Sequence, residues 1–338
     1  MASLDIGIDL GTTSVIVYMH GKGIILREPS VVAVDTRDNT VMAVGEEAYE
    51  MIGKTPAYIN AIRPLRDGVI SNHILTEFMI KEFLRKTSKS LMIKPRVAIC
   101  VPSSITDVES RAVVQAATNA DARKVFLVEE PIAAAIGAGI DIKEANGVLI
   151  VDVGGGTTDV AIISLSGIVR SDSIKVAGNT FDEAIIRHIR QKYKLLIGER
   201  MAEKIKIELA SVFEPSENEK TTIKGRNLVT GLPQKIEITQ ADLYPALLEC
   251  AMEIVASIRR VLEKAPPELV GDIYSNGITM TGGGCLLNGL DKLIASHIHV
   301  DVRRADTPTD SVAIGTGNVF DYISDLSDGF VNASTYQH

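Results

Sequence analysis

Two stretches of this 338-residue chain share one order of residues. In each, a short apolar run predicted to be a buried strand leads into an aspartate, a glycine turn and hydroxyl residues. The first copy begins at Asp9 and continues through Gly11, Thr12 and Thr13, and the second runs from Asp152 to Thr158. One glycine turn alone usually marks only a turn. Two matching copies in separate halves predict two like halves that hold one ligand between paired loops.

The residue types of these loops indicate the ligand. Backbone N–H groups of a glycine turn, with threonine hydroxyls beside them, bind phosphate. An aspartate in the same loop repels phosphate unless a cation such as Mg²⁺ lies between them. A third glycine cluster, Gly282, Gly283 and Gly284, follows another β-branched run. The three loops together predict a metal–nucleotide site.

Composition excludes several classes of protein. The net charge of −8 argues against a nucleic-acid surface, which normally shows a basic stripe. Three scattered cysteines, Cys100, Cys250 and Cys285, predict reduced thiols in a cytoplasmic protein. No basic leader precedes Asp5, and no apolar run approaches the roughly 18 residues of a membrane span. We therefore expect a cytoplasmic protein that does not cross a membrane.

Local patterns predict short strands and helices in both halves, with the boundary between the halves at residues 141–147. Thr106 and Glu109 form a capping box that begins a helix ending near Ala120. Thr239 or Asp242 begins a long helix that the two prolines at 266 and 267 stop.

Other segments give predictions that are easily tested against the structure. One continuous strand is expected over Ile24–Val34. A capping box at Thr180–Glu183 is expected to begin a helix that Gly198 ends. Residues 201–213 are predicted to be helical, and residues 215–225 to be a polar surface loop.

Three further clusters can be interpreted from the residues, and two of them have two possible interpretations. Glu129 and Glu130, directly before Pro131, provide either ordinary negative charge at a helix N-terminus or a group that orients water against a phosphate. The charged run at residues 203–206 is typical of a solvated face. The apolar tip at residues 91–93, with basic residues around it, either enters the core or dips into a bilayer.

The paired loops resemble the phosphate loops of the actin/Hsp70/sugar-kinase superfamily. Further strings narrow the resemblance to the MreB family of bacterial actins, over residues 4–326. These strings begin at Glu28 (EPSVVA), Met51 (MIGKTP), Arg63 (RPLRDGVI), Glu129 (EEPIAAAIG), Glu263 (EKAPPEL) and Thr281 (TGGG).

The resemblance implies an α/β actin-like fold. Two related domains, each an RNase H-like mixed sheet with helices, would carry smaller inserted subdomains and hold a nucleotide in the cleft between them. The implied subdomains are IA (residues 1–32, 67–140 and 314–338), IB (33–66), IIA (141–177 and 243–313) and IIB (178–242).

The resemblance also implies roles for individual residues. Nucleotide contacts would come from Gly11, Thr12, Thr13, Gly154, Gly155, Gly156, Thr157, Glu203, Lys206, Gly282, Gly283 and Gly284. Asp9 and Asp152 would hold Mg²⁺, mostly through water. Glu130 and Thr157 would position the attacking water, with Asp152 beside them. On this basis, the charged run at residues 203–206 is assigned to the nucleoside instead of to solvent.

The implied function is a slow ATPase that assembles into membrane-associated filaments, predicted to be antiparallel pairs. Its partners would be other copies of itself, the inner face of the cytoplasmic membrane, and the cell-wall elongation machinery with its membrane adaptors. Only four residues precede Asp5, too few for an amphipathic helix. Leu91, Met92 and Ile93 therefore become the predicted membrane loop.

The sequence departs from the family pattern in two places. The first loop reads Gly11-Thr12-Thr13-Ser14 where Gly-Thr-Ala-Asn is common, and Gly178-Asn179-Thr180-Phe181-Asp182 replaces the more usual Gly-Asp-Glu-Met-Asp. Nucleotide binding should survive the first change, although turnover could differ.

Two alternatives on the same fold remain at this point. A sugar or small-metabolite kinase would need a carboxylate base facing a sugar hydroxyl, and no separate sugar motif stands out. A chaperone ATPase would be expected to continue into a substrate-binding domain after residue 326. Fold alone does not choose among these functions.

Overall fold

The computed structural model describes residues 4–66, 68–87, 94–322 and, for the backbone alone, 330–332. The strands are β1 Asp5–Leu10, β2 Ser14–Met19, β3 Gly23–Pro29, β4 Val32–Asp35, β5 Thr40–Val44, β6 Ile59–Ile62, β7 Leu65–Arg66, β8 Val69–Ile70, β9 Arg96–Val101, β10 Lys124–Glu129, β11 Val148–Val153, β12 Thr158–Ser164, β13 Gly167–Ile174, β14 Leu195–Leu196, β15 Lys220–Asn227, β16 Pro233–Thr239, β17 Ile278–Thr281, β18 Val302–Arg304 and β19 Phe330–Asn332. The helices are α1 Glu46–Met51, α2 His73–Thr87, α3 Asp107–Asn119, α4 Glu130–Gly137, α5 Gly178–Tyr193, α6 Glu199–Glu208, α7 Gln240–Glu263, α8 Pro267–Asn276, α9 Leu290–Ile298 and α10 Ser311–Asn318.

Two large sheets repeat one strand order. The first is β19-β10-β9-β1-β2-β3 and the second is β13-β12-β11-β17-β18. In both, three antiparallel strands that follow one another in the chain are continued by two parallel strands after a helical crossover. The antiparallel strands are joined by short turns, whereas parallel neighbours need the longer crossovers. The two related domains expected from the sequence are therefore present.

Smaller sheets extend from this pair. Strands β5-β4-β6 form one three-stranded sheet in the first half, and β14-β15-β16 form another in the second half. The first packs around buried Val31, Ala33 and Ala43, with Ala48 of α1 against them. These two small sheets carry elements that come close to the opening between the halves.

Helices α4 and α10 join the two large sheets. Ile132 and Ile136 of α4 lie in a core cluster that also contains Phe126 of the first sheet and Ile150 and Ile163 of the second. Glycines permit this contact. A Cβ atom added to Gly315 would lie 1.8 Å from the carbonyl oxygen of Ala133. A Cβ atom on Gly137 would lie 1.7 Å from the carbonyl oxygen of Ser311. The backbones of the two helices therefore touch.

Several local predictions are confirmed. Helix α3 begins at the Thr106 cap, where the hydroxyl accepts from the Glu109 N–H and the Glu109 carboxylate accepts from the Thr106 N–H. Helix α7 begins at Thr239, with the reciprocal pair of bonds to Asp242.

Other local predictions are wrong, each for a physical reason. Residues 24–34 do not form one strand, because the chain leaves the first large sheet at Ser30 and continues in a different sheet as β4. The segment at residues 215–225, predicted to be a loop, instead contains most of β15. This strand pairs with β16 in a hairpin, and its polar residues lie largely on the exposed side of that hairpin.

Two predicted helix boundaries also shift. Helix α5 begins at Gly178, two residues before Thr180, whose hydroxyl accepts from the Ala177 N–H instead of capping the helix itself. The same helix ends where Lys194 adopts a left-handed conformation, before Gly198. Helix α6 spans ten residues and stops at Glu208, short of the predicted end at residue 213.

The contact between α4 and α10 predicts a strong effect of one methyl group. Gly315→Ala should lower the free energy of unfolding by at least about 2 kcal/mol, because the added atom meets backbone that cannot move aside. Gly271→Ala, in α8 with open space around the added methyl, is the control and should be neutral or stabilising by up to about 1 kcal/mol. Urea unfolding measures both, and equal effects would show that the helix contact tolerates a side chain.

Candidate functional site

The repeated strand order places the two aspartate–glycine loops opposite each other. Strands β1 and β11 occupy the same position in their sheets, and Asp9 and Asp152 stand near their carboxyl ends. The loops that follow approach closely, since a Cβ atom on Gly155 would lie 1.9 Å from the Thr13 hydroxyl oxygen. The sequence prediction that both loops face one ligand site therefore has a direct geometric counterpart.

A cavity of about 420 Å³ lies between the halves. Its lining includes all the described residues that the sequence assigned to nucleotide, metal or catalysis: Asp9, Gly11, Thr12, Thr13, Glu130, Asp152, Gly154, Gly155, Gly156, Thr157, Glu203, Lys206, Gly282, Gly283 and Gly284. The structure thus brings together residues that are up to 275 positions apart in the chain, from Asp9 to Gly284. Their individual roles stay predictions.

Hydrogen bonds fix the first loop. The Ser30 hydroxyl donates to the Gly11 carbonyl at 2.5 Å, and the Ser30 N–H donates to the Thr13 carbonyl at 3.0 Å. The Gly68 N–H donates to the Thr12 hydroxyl oxygen at 3.2 Å. These bonds to other segments, with a fourth from the Arg63 side chain to the Thr13 carbonyl at 3.4 Å, hold the backbone of the loop in one conformation.

The second loop is fixed by the start of α5. Gly178 N–H donates to the Gly154 carbonyl at 3.1 Å, and Asn179 N–H donates to the Gly155 carbonyl at 2.8 Å. Gly154 N–H donates to the Thr157 carbonyl at 2.9 Å and closes the turn. The N-terminus of α5 therefore lies directly behind the loop, where a helix terminus favours a bound anion.

The third glycine cluster packs over the end of β11. Gly282 has a φ of 79°, and a Cβ atom there would lie 2.3 Å from the Val153 carbonyl oxygen. A Cβ atom on Gly284 would lie 2.5 Å from the Val153 side chain. Glycine is required at both positions because the chain passes so close to β11.

Acidic side chains line the deep end of the cavity. Asp152 is buried and accepts a hydrogen bond from the Thr281 hydroxyl at 2.6 Å. Burial raises the pKa of Asp152 to about 7, with the charges of Asp159 and Asp9 adding to the rise. Burial also raises the pKa of Asp9 to about 6, although the Cys100 thiol, 3.3 Å away, opposes the rise.

Glu130 lies at the first turn of α4 and faces the same acids. Helix N-termini normally favour a carboxylate. Here burial, with the charges of Asp159, Asp152 and Asp9, outweighs that effect and raises the pKa of Glu130 well above its ordinary value. This raised pKa marks Glu130 as a candidate for proton chemistry.

Asp159 belongs to the acidic cluster beside the cavity, although it does not line the cavity itself, and the sequence reasoning missed it. It lies directly opposite Asp152 in the antiparallel pair β11–β12 and is fully buried. Ser103 holds one of its oxygens through both the backbone N–H, at 3.2 Å, and the hydroxyl, at 2.9 Å. Facing residues of an antiparallel pair project to one side of a sheet. The register of the hairpin around the glycine turn could have identified it.

The donor set suits a hydrated Mg²⁺ ion better than a bare one. Among the residues that the structure describes, no group of three or more histidine, cysteine, aspartate or glutamate side chains could hold a metal directly. Two carboxylates with raised pKa values, Asp9 and Asp152, nevertheless face one cavity. Mg²⁺ typically keeps several waters and takes one or two carboxylates together with substrate phosphates. The residues present fit that arrangement.

Two charged residues of α6, Glu203 and Lys206, also line the cavity. Lys206 donates to the Gly178 carbonyl at 2.9 Å and to the Asp182 carboxylate at 2.8 Å. Glu203 accepts from the Tyr49 hydroxyl at 2.8 Å. The solvated-face interpretation drawn from the charge pattern alone is therefore wrong for these two residues, which line the cavity.

The predicted membrane loop of Leu91, Met92 and Ile93 lies outside the described residues. Across the part of the chain that the structure describes, no helix has both the length and the apolar character needed to cross a membrane.

Two like sheets with a loop-lined cavity between them define an actin-like protein. The solved structure of MreB5 of Spiroplasma citri bound to ADP superimposes with a TM-score of 0.91, at 36% identity, over 100% of this chain and 99% of that one. A MamK double helical filament shares the fold, with a TM-score of 0.80 at 22% identity, over 95% of this chain and 99% of that one.

Sequence comparison gives the particular family. The family described as MreB/Mbl protein matches residues 3–328, so the chain belongs to the MreB/Mbl family. The cell shape-determining protein Mbl of Bacillus subtilis is 50% identical over 96% of this chain and 98% of its own length. The cell shape-determining protein MreB of Escherichia coli is 44% identical over 96% and 95%. Membership of this family argues against the kinase and chaperone alternatives.

The acidic cluster predicts how stability depends on pH. An aspartate whose folded pKa is raised to about 7 destabilises the folded state increasingly as pH rises from about 4 towards 7. Asp152→Asn should remove much of that decline and stabilise the protein by about 2–4 kcal/mol at pH 7. Thermal unfolding in a chelating buffer without nucleotide, from pH 4 to 8, measures the change.

Asp306→Asn, at an exposed position, is the matched control and should leave the pH dependence unchanged. Wild-type stability that stays level or rises between pH 4 and 7 would contradict the raised pKa of Asp152.

Proposed function

We propose that this protein is a cytoskeletal ATPase: it binds ATP or ADP with Mg²⁺ in the cavity, assembles into filaments and hydrolyses ATP slowly to time their turnover. The single observation that carries the proposal is the convergence of both aspartate–glycine loops on one cavity. The named relatives add to it, because MreB5 of Spiroplasma citri was solved with ADP and with AMPPNP.

The loops have the groups that a triphosphate needs. Thr12, Thr13 and Thr157 bring hydroxyls to the cavity beside the glycine backbone. The Thr13 hydroxyl is buried and makes no hydrogen bond within the described residues, so it is available to a phosphate oxygen. Leaving a buried hydroxyl unpaired has a free-energy cost, which a bound phosphate would remove.

The outer part of the cavity suits a nucleoside. Two large apolar side chains that line it remain exposed, Ile207 at 74% and Leu286 at 51%. Exposed apolar surface inside a concave site is typical of ligand binding. We assign these side chains, with Gly282–Gly284, to the adenine, and Glu203 and Lys206 to hydrogen bonds with the nucleoside.

Hydrolysis on this proposal depends mainly on positioning. Glu130 and Thr157 would orient water against the terminal phosphate, and the ionised form of Glu130 would accept its proton. Asp9 and Asp152 would hold Mg²⁺ through its waters, and the bound ion would neutralise phosphate charge. Because several acids raise the pKa of Glu130, hydrolysis should fall at low pH.

The relatives support a proposal about assembly and location. The relatives are named cell shape-determining proteins, and the MamK structure is a double helical filament. We propose antiparallel paired filaments on the inner face of the cytoplasmic membrane, held there by Leu91, Met92 and Ile93, that help organise cell-wall synthesis. The proposed subdomains are IA, IB, IIA and IIB with the boundaries given above.

Replacing the proposed base separates binding from hydrolysis. Glu130→Gln should keep ATP affinity within about threefold and slow hydrolysis by about 10²-fold or more, because the amide cannot accept the proton. Nucleotide titration and phosphate release measure the two effects. Glu129→Gln, at the preceding N-cap position, is the control. Loss of ATP binding in the Glu130 variant alone would contradict the role given to Glu130.

Replacing the proposed membrane loop separates assembly from membrane binding. Changing Leu91 and Met92 to Ser should abolish co-sedimentation with anionic liposomes while filaments still form with ATP, since apolar side chains at the bilayer boundary provide the anchor. Ile74→Ser, which removes another apolar side chain that is 81% exposed, is the control. Unchanged liposome binding by the loop variant would contradict the membrane role and favour the interpretation that residues 91–93 enter the core.

Experiments on the wild-type protein test the wider proposal of a filament-forming ATPase. Filaments seen by negative-stain microscopy in liposome pellets would support it. A protein that stays monomeric with ATP, ADP and lipid, and that consumes ATP only when a sugar is added, would favour the kinase alternative.

A further inference from the structure

One hydrogen bond crosses the opening of the cavity. Tyr49 belongs to α1 in the first half and Glu203 to α6 in the second, 154 positions away. The Tyr49 hydroxyl donates to the Glu203 carboxylate at 2.8 Å. Glu203 also lines the cavity, so a residue of the opposite half holds part of its wall.

Other contacts support the same pair. The Arg200 guanidinium, one turn before Glu203, lies 4.9 Å from the centre of the Tyr49 ring. It also donates to the Glu50 carboxylate at 3.3 Å. Because Arg200 and Glu50 are both substantially exposed, this ion pair contributes little by itself. The bond to Glu203 is half-buried and involves a charged acceptor, so it dominates the contact.

Tyr49 is anchored well enough to position its partner. Its ring packs on the small core of Val31, Ala33, Ala43 and Ala48. Desolvation and the neighbouring Glu203 carboxylate raise the pKa of the Tyr49 hydroxyl, so it stays a donor at neutral pH. The carboxylate accepts Tyr49 on one oxygen, and its other oxygen remains a possible acceptor for a ligand.

Glu203 also separates two spaces. It lines the nucleotide cavity and a second cavity of about 520 Å³, which Ile52 and Glu199 line as well. Thr12 and Asn179 line both spaces as well, so the two cavities share a boundary. The bond to Tyr49 fixes the Glu203 side chain at this boundary.

We propose that Tyr49 is a positioning residue that, through Glu203, sets how slowly a bound nucleotide leaves the cavity. The proposal rests on the proposed nucleotide binding. On this proposal a bound nucleotide holds the two halves together and so strengthens the bond, which then has to break before the nucleotide leaves. The bond therefore acts mainly on the dissociation rate, the rate in which most affinity differences arise.

The first test compares rates. Tyr49→Phe removes the hydroxyl and keeps the ring, so a fluorescent ADP analogue should dissociate about 10-fold faster, equivalent to about 1.4 kcal/mol. Its association rate should stay within about twofold, and the melting temperature of the ligand-free protein should change little. Tyr58→Phe, an exposed tyrosine of the same small sheet region that stacks on Arg37, is the control and should match the wild type.

The second test shows that Tyr49 acts through Glu203. Glu203→Ala removes the acceptor and should itself speed dissociation. Adding Tyr49→Phe to it should then have no further effect. A Tyr49→Phe variant that releases the analogue at the wild-type rate, or that speeds release equally with and without Glu203, would overturn the proposal while leaving nucleotide binding intact. A wild type that fails to bind the analogue would overturn the proposed function itself.

Discussion

The contact between α4 and α10 is the constraint on which the rest of the structure depends. Their backbones touch through Gly137 and Gly315, and side chains of both helices enter the core shared by the two large sheets. A close-packed contact of this kind transmits displacement instead of absorbing it. Because Glu130 begins α4, the same element that joins the halves also places a carboxylate at the cavity.

The cavity concentrates unfavourable interactions that ligands can relieve. Asp9, Asp152, Asp159 and Glu130 face one another with little solvent, and each has a raised pKa. Burial of apolar side chains in the two large cores offsets the cost of this cluster. On the proposed function, a bound cation would reduce the repulsion among the acids and so stabilise the folded protein.

The sequence predicted which residues the fold brings together at the cavity better than it predicted local structure. The repeated aspartate–glycine pattern was sufficient to predict that the loops around Thr13 and Gly155 face each other. Each copy of the pattern consists of residues that are neighbours in the chain, so it is visible in the sequence. Asp159 was missed because its position depends on hairpin register, and Tyr49 because its partner is 154 residues distant. The predicted strand over residues 24–34 failed since composition does not show where a chain changes sheets.

The repeated strand order has a consequence for how the two halves share their work. In the second half Asp152 faces Asp159 across the hairpin, whereas at the matching place in the first half Asp9 faces Ile16. The two loops are therefore alike in their backbone arrangement and differ in the side chain that lies opposite the aspartate. The repeat of the backbone is thus not a repeat of the chemistry: the second half adds Asp159 beside its loop aspartate, whereas the first half brings Glu130 to the same acids from α4.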